Sequence, residues 1–108
     1  MPWSANELIS EENWAALRAR LQLSEREVQI AQAVLEDRKE LAIAMDLGIS
    51  PHTVHTHLER LYRKLGVDSR LGLAVRLMRC QNELIAEPGS ALKPVCARHA
   101  EGRCPVRD

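Results

Sequence analysis

Hydrophobic positions along this chain recur at helical spacing in five successive stretches, separated by polar or glycine-containing breaks. The first opens at Ser10-Glu11-Glu12-Asn13 and continues through Trp14, Leu17 and Leu21. The second has a sharper start. Ser24 and Glu27 have capping-box spacing, in which the serine accepts from the third helical amide and the glutamate reaches back to the cap. The helix they open runs from Glu25 to about Glu36 and carries Val28, Ile30, Ala31, Val34 and Leu35. Asp37 and Glu40 repeat the cap-plus-three spacing and predict a short helix through Leu41, Ile43, Ala44 and Met45.

Leu47-Gly48-Ile49 ends that helix, with Gly48 suited to the positive φ of a tight exit. Ser50-Pro51 starts the next one at once. The serine serves as N-cap, and the proline takes the first helical position, where its missing N–H costs nothing. This helix runs to about Leu65 and exits at Gly66, after which Asp68 or Ser69 caps a last helix reaching to about Ile85. Beyond Ala86, Pro88-Gly89-Ser90, Pro94, Gly102 and Pro105 forbid a regular helix and predict an irregular tail. A short helix, a glycine-containing turn and a second helix make a helix-turn-helix arrangement.

Composition narrows the class. The 108 residues allow one compact domain with short extensions. Leu, Ala, Glu and Arg dominate the middle, β-branched runs are nearly absent, and the aromatics are only Trp3, Trp14 and Tyr62. The expected fold is all-α. No apolar stretch approaches the roughly 20 residues needed to span a bilayer, so no membrane role is expected. Met1 to Ile9 lacks the basic-then-apolar order of a signal peptide, and three cysteines without one point to a reducing cytoplasm.

Net charge is zero, but its distribution is uneven. Residues 1–36 hold six acids against three bases, residues 37–79 hold eight bases against five acids, and residues 80–108 hold four of each. Positive charge therefore gathers around the helix-turn-helix, where a polyanion would be gripped.

The helix 51–65 is the most informative segment, because at about 100° per residue its side chains sort into three arcs. Val54, Leu58, Leu61, Tyr62 and Leu65 form a core-facing arc. His52, His55, Thr56, Glu59 and Arg63 form the opposite arc and are candidates for reading base edges. Glu59 suits a cytosine amine, and the Thr56 methyl suits a thymine methyl. Thr53, His57, Arg60 and Lys64 lie on a flank suited to phosphate contacts. The plain alternative is a solvated amphipathic helix with a Glu59–Arg63 pair. Three histidines in six residues also suggest a metal, but His57 points away from His52 and His55.

Three motifs then line up. Leu23-Ser24-x-Arg26-Glu27 comes first, then Ile43-Ala44-x-x-Leu47-Gly48-Ile49-Ser50-x-x-Thr53-Val54-x-x-His57, then Lys64-Leu65-Gly66-Val67-x-x-Arg70. Together they resemble the LuxR/GerE (NarL/FixJ) helix-turn-helix over residues 23 to about 79. The resemblance implies a four-helix domain whose third helix enters the major groove of double-stranded DNA and whose fourth mediates dimerisation. It places Thr53, Val54 and His57 on the recognition-helix signature, and Lys64 and Arg70 on basic positions expected at phosphates. Three departures stand out. His55 replaces the usual Lys, Ala42 a Glu, and Asp37 a Gly, so the helix before Asp37 is expected to end differently. The promoter-recognition domain of sigma factors has a similar pattern, but the Lys64-Leu65-Gly66-Val67 exit and the capped helix after it favour LuxR.

The expected organisation is an N-terminal helical extension at 1–22, the helix-turn-helix domain at 23–86 and a tail at 87–108. Only 22 residues precede the domain, without the βαβ pattern of a receiver, so a signal is expected to enter through a partner, through expression level or through the tail, with RNA polymerase or an upstream signalling protein as candidate partners. The last helix has two apolar stripes, Leu71, Ala74, Val75, Met78 and Ile85 on one side and Leu73, Leu77, Cys80 and Leu84 on the other. One stripe suffices for the core, and the second predicts a homodimer, assigned to Leu73, Leu77, Cys80 and Leu84. The alternative is that it packs against the N-terminal helix around Trp14, or under the tail.

Cys80, Cys96, His99 and Cys104 could supply a zinc set, and Cys96 with Cys104 a redox disulfide. Otherwise Cys80 is a small buried hydrophobe and no cofactor is involved. Neither a phosphate loop nor a carboxylate pair accompanies the Cys/His positions, which argues against an enzyme. The predicted activity is DNA-binding transcription regulation. The alternatives are a protein-binding adaptor on the same fold and a regulator gated by metal or redox chemistry in the tail.

Overall fold

Short polar caps divide residues 3–92, the part of the chain described by the computed structural model, into six α-helices. They are α1 (Ala5–Leu8), α2 (Glu11–Leu21), α3 (Glu25–Leu35), α4 (Glu40–Leu47), α5 (Pro51–Leu65) and α6 (Arg70–Ala86). Four of the expected starts are in place. Ser10 accepts from the Asn13 amide at 3.2 Å, and Ser50 from the Thr53 amide at 3.1 Å with Pro51 as first helical residue. Ser24 and Glu27 close both halves of the capping box, at 3.1 and 2.8 Å. Ser69, rather than Asp68, caps α6 by accepting from the Gly72 amide at 3.0 Å. Each such cap satisfies an amide that has no partner within its helix, worth about 1 kcal/mol.

Two local readings need correction. The short helix α1 was not expected, although Ser4 and Glu7 have cap-plus-three spacing and the Ser4 amide donates to Glu7 Oε2 at 2.8 Å. Asp37 is not the cap of α4; that position belongs to Lys39, which makes no side-chain cap bond. Asp37 instead sits at φ 56°, with its amide bonded to Val34 O at 2.9 Å and the Arg38 amide to Ala33 O at 3.0 Å. This is the left-handed closure a glycine would give, so α3 does not end differently after all.

Packing centres on α3, which touches α1, α5 and α6, while α4 packs on α5 and α2 on α6. The core gathers Ile9, Trp14 and Leu17 with Ile30, Ile43, Val54, Leu58, Leu61, Leu73 and Leu77. The N-terminal helices are tied to the rest by directed bonds as well. Trp3 Nε1 donates to Leu35 O at 2.7 Å, and the Ala5 amide to Glu36 Oε2 at 2.9 Å. Inside, Asn13 Nδ2 donates to Gln81 Oε1 at 2.8 Å while Gln81 Nε2 donates to Leu8 O at 3.3 Å. A buried amide that finds its partners fixes how α2 sits on α6 more sharply than apolar contact alone.

The stripe on α6 assigned to dimerisation lies inside the fold, so that assignment is corrected. Leu73, Leu77, Cys80 and Leu84 are buried in the core, where α2 and α3 pack against α6. The other stripe is the open one, with Leu71 74% and Val75 46% exposed. Two stripes were legible, but their order depends on which side α2 covers. Among the described residues, no helix is long and apolar enough to cross a membrane.

Asp37 gives a test of the backbone reading. Its left-handed φ costs an L-residue free energy that glycine does not incur, and its contact with Arg70 Nη1, at 3.9 Å, is largely exposed. Asp37→Gly is expected to stabilise the protein by about 0.5–1 kcal/mol in urea melts. A loss of stability would show that the aspartate side chain outweighs its backbone strain.

Candidate nucleic-acid interface

The helix-turn-helix is α4, the turn at Gly48 (φ 67°) and α5. Along α5, Val54, Leu58, Leu61 and Leu65 are buried, and Tyr62 is half-buried beside them. That row fixes the helix's rotation. His52, His55, Glu59, Arg60, Arg63 and Lys64 are consequently exposed, while Thr53, Thr56 and His57 are half-buried. The five candidate base readers share one open arc, with Arg60 exposed on its flank.

Individual side chains are less free than the arcs imply. Thr53 Oγ1 lies 2.8 Å from Ser50 Oγ and completes the N-cap of α5. Thr56 Oγ1 donates to the His52 carbonyl at 3.0 Å, which commits its hydrogen and leaves its methyl for apolar contact. His55 is held on both ring nitrogens: Nδ1 is 3.0 Å from Glu40 Oε1, and Nε2 is 2.9 Å from Glu59 Oε1. The hydrogen bond and charge of Glu40, with Glu59 adding to them, hold this imidazole above its ordinary pKa. Glu59 thus pairs with His55 on the preceding turn, in place of the Glu59–Arg63 pair weighed from sequence.

Two cations expected at phosphates have structural duties. Lys64 Nζ donates to the Gln22 carbonyl and to Glu27 Oε1, the latter at 3.0 Å. It fastens the end of α5 to the left-handed residue that closes α2. Arg70 donates from Nη2 to the Arg38 carbonyl, with Nη1 near Asp37, and so ties the start of α6 to the α3–α4 link. Neither side chain is therefore unpartnered in the folded chain. Only the folded arrangement shows these contacts, because the partners lie 32 to 42 residues away.

Glu40 is the residue that sequence reasoning missed. It was read as a helix-start residue, and nothing local links it to His55, 15 positions on. The crossing of α4 over α5 brings its carboxylate to the reading arc. Of the zinc set, Cys80 is 1% exposed within the core. Cys96, His99 and Cys104 lie outside the described residues. Among the described residues, no group of three or more His, Cys, Asp or Glu side chains is placed to hold a metal ion.

The sequence profile of the bacterial regulatory proteins of the luxR family matches residues 21–77, more than half of the chain. The chain belongs to the LuxR family. The match takes in α3, α4, α5 and the first half of α6. The LuxR domain is 45% identical over 53 residues to the transcriptional regulatory protein YdfI of Bacillus subtilis, covering 49% of this chain and 25% of that one. It is 42% identical over 55 residues to the transcriptional regulatory protein UhpA of Escherichia coli, covering 51% and 28%. With the probable transcriptional regulatory protein NarL of Mycobacterium tuberculosis, the identity is 40% over 57 residues, covering 53% and 26%. The matched region spans about a quarter of each of these relatives. No solved structure matches.

The Lys64 tie makes a measurable difference. Burial opposes ionisation of Glu27, but the Ser24 amide and Lys64 outweigh it and hold its pKa below the ordinary carboxylate range. The stabilisation from ionised Glu27 is present above its unfolded value, about 4.3, and is lost as pH falls through the lower folded value. Lys64→Ala is expected to cost about 0.5–1 kcal/mol in urea melts at neutral pH, and less near pH 3. An equal cost at both pH values would remove Glu27 from the explanation.

Proposed function

We propose that this chain is a sequence-specific DNA-binding transcriptional regulator that inserts α5 into the major groove of double-stranded DNA and works as a homodimer. One observation carries the reading: α5 buries Val54, Leu58, Leu61 and Leu65 and turns an arc of hydrogen-bonding side chains outward. A major groove accepts a helix arranged in this way. His52, His55, Thr56, Glu59 and Arg63 are the base-edge readers, with Thr56 presenting its methyl and Glu59 an acceptor. Arg60, His57 and the capped N-terminus of α5 at Thr53 take the backbone phosphates. Lys64 and Arg70 act one step back, by holding α5 and α6 in place. Membership of a family of bacterial regulatory proteins supports the reading, as do relatives named as transcriptional regulators.

For the homodimer, Leu71 and Val75 on the open stripe of α6 are the contact, one helical turn apart. A two-fold axis along that stripe pairs the patch with itself. It would present two copies of α5 to half-sites about one DNA turn (~34 Å) apart.

One observation favours a second reading, the adaptor. Leu41 and Met45, 63% and 76% exposed, put two large apolar side chains on the open face of α4, a helix that crosses the DNA backbone in helix-turn-helix complexes. A protein such as RNA polymerase or a signalling partner suits that face better than phosphate does.

The function is tested by selecting bound duplexes from a random pool and titrating the winner by fluorescence anisotropy at several salt concentrations. A regulator shows enrichment of an inverted repeat and a steep salt slope, roughly 0.9 log units per phosphate contact. An adaptor shows neither. Thr56→Ala is expected to lose about 1–3 kcal/mol of preference at one base pair, while Thr56→Val keeps it. Equal losses from both would mean that the hydroxyl, not the methyl, makes the contact. Leu71→Glu combined with Val75→Glu is expected to leave the fold intact by circular dichroism and to yield monomers by sedimentation velocity. A wild-type monomer at DNA-saturating concentration would remove the homodimer.

A further inference from the structure

The most constrained side chain on the reading arc is a histidine, a residue type whose charge can change near neutral pH. His55 has a carboxylate oxygen at each ring nitrogen, Glu40 Oε1 at 3.0 Å and Glu59 Oε1 at 2.9 Å. A neutral imidazole has one N–H and can donate to one carboxylate only; at its other nitrogen, lone pair faces lone pair. The imidazolium donates to both. The bridge between α4 and α5 is therefore complete only when His55 carries a second proton.

We propose that Glu40, His55 and Glu59 form one proton-carrying reading element, which takes up a proton at His55 on binding DNA and presents Glu59 to the amino group of a cytosine. This inference rests on the reading of α5 as the major-groove helix. Without the proton, the element brings two negative charges to a surface that must approach phosphates. With it, the charge falls to one, and each carboxylate is held through Oε1 by a ring N–H. Oε2 of Glu59 is then oriented to accept from a cytosine amine.

The surroundings set the direction. Glu40 comes from α4 and Glu59 from α5, and both favour the cation. Behind Glu40 stands Tyr62, and Arg70 reaches Tyr62 from the start of α6. The free protein already holds His55 above the ordinary imidazole value of about 6.5, and the field of the phosphates raises it further in the complex. Affinity is then highest and level below the free-protein pKa. It falls as pH rises from there to the pKa of the complex, by at most about tenfold per pH unit for one proton, and levels off above that.

The test is anisotropy titration of the selected duplex at fixed ionic strength, from about pH 6 to about pH 8.5. Wild type and His55→Lys are compared, and the ring protons of free wild type are titrated by NMR alongside. Wild type is expected to lose about threefold to tenfold in affinity per pH unit within the window. His55→Lys, with its charge fixed, binds nearly evenly across the range. In the free protein, the His55 ring is expected to titrate above the ordinary imidazole value of about 6.5. Tight, salt-sensitive binding with a flat pH profile overturns the proton element and leaves the α5 reading standing. A slope that persists in His55→Lys, or a His55 ring titrating at or below the ordinary imidazole value of about 6.5, overturns it as well. Failure to bind any duplex at any pH overturns the α5 reading and this inference with it.

Discussion

Val54, Leu58, Leu61 and Leu65 lie in one row along α5, and their burial against the neighbouring helices fixes the rotation of that helix. Each such side chain contributes about 1.5–3 kcal/mol on leaving water. Turning α5 by one residue, about 100°, would expose the row and bury the polar arc, losing several of these contributions together. The outward set is therefore decided by the inward set. His52, His55, Thr56, Glu59 and Arg63 are presented because four apolar residues at helical spacing leave them no alternative.

A second set of contacts, polar and long-range, holds the frame on which α5 rests. Lys64 joins the end of α5 to the α2–α3 corner, Arg70 joins α6 to the link before α4, and Arg38 pairs with Asp46 across α4. These ties give Lys64, Arg70 and Arg38 partners within the protein. In the proposed function, the modest excess of positive charge around the helix-turn-helix thus overstates what is available to phosphates, and more of the contact would fall to Arg60, Arg63 and the histidines. His55 is where the two roles meet, since it braces α4 against α5 and stands on the reading arc.

Legibility in the sequence followed locality. Ser10, Ser24-Glu27, Ser50-Pro51 and Ser69 act within three residues of themselves, so the starts of α2, α3, α5 and α6 could be read directly. The arcs of α5 follow from helix geometry alone, and the family motif lies within the matched region. Asp37 was misread because an aspartate suits both an N-cap and a left-handed exit, and its spacing to Glu40 imitates a capping box. The contacts of Lys64, Arg70 and Glu40 were missed because their partners are distant in sequence. The choice between the two stripes of α6 depended on where α2 docks, which a buried Asn13–Gln81 contact helps to set. In each case the residue's chemistry was visible, but its partner was not.

The placement of α5 in the major groove is tested most directly by methylation interference on the selected duplex. Guanine N7 lies in the major groove and adenine N3 in the minor groove, so one reagent reports on both. Loss of binding on methylation of guanine N7 at two clusters about one helical turn apart is the expected result. Interference confined to adenine N3, or none at either atom, would contradict major-groove reading by α5.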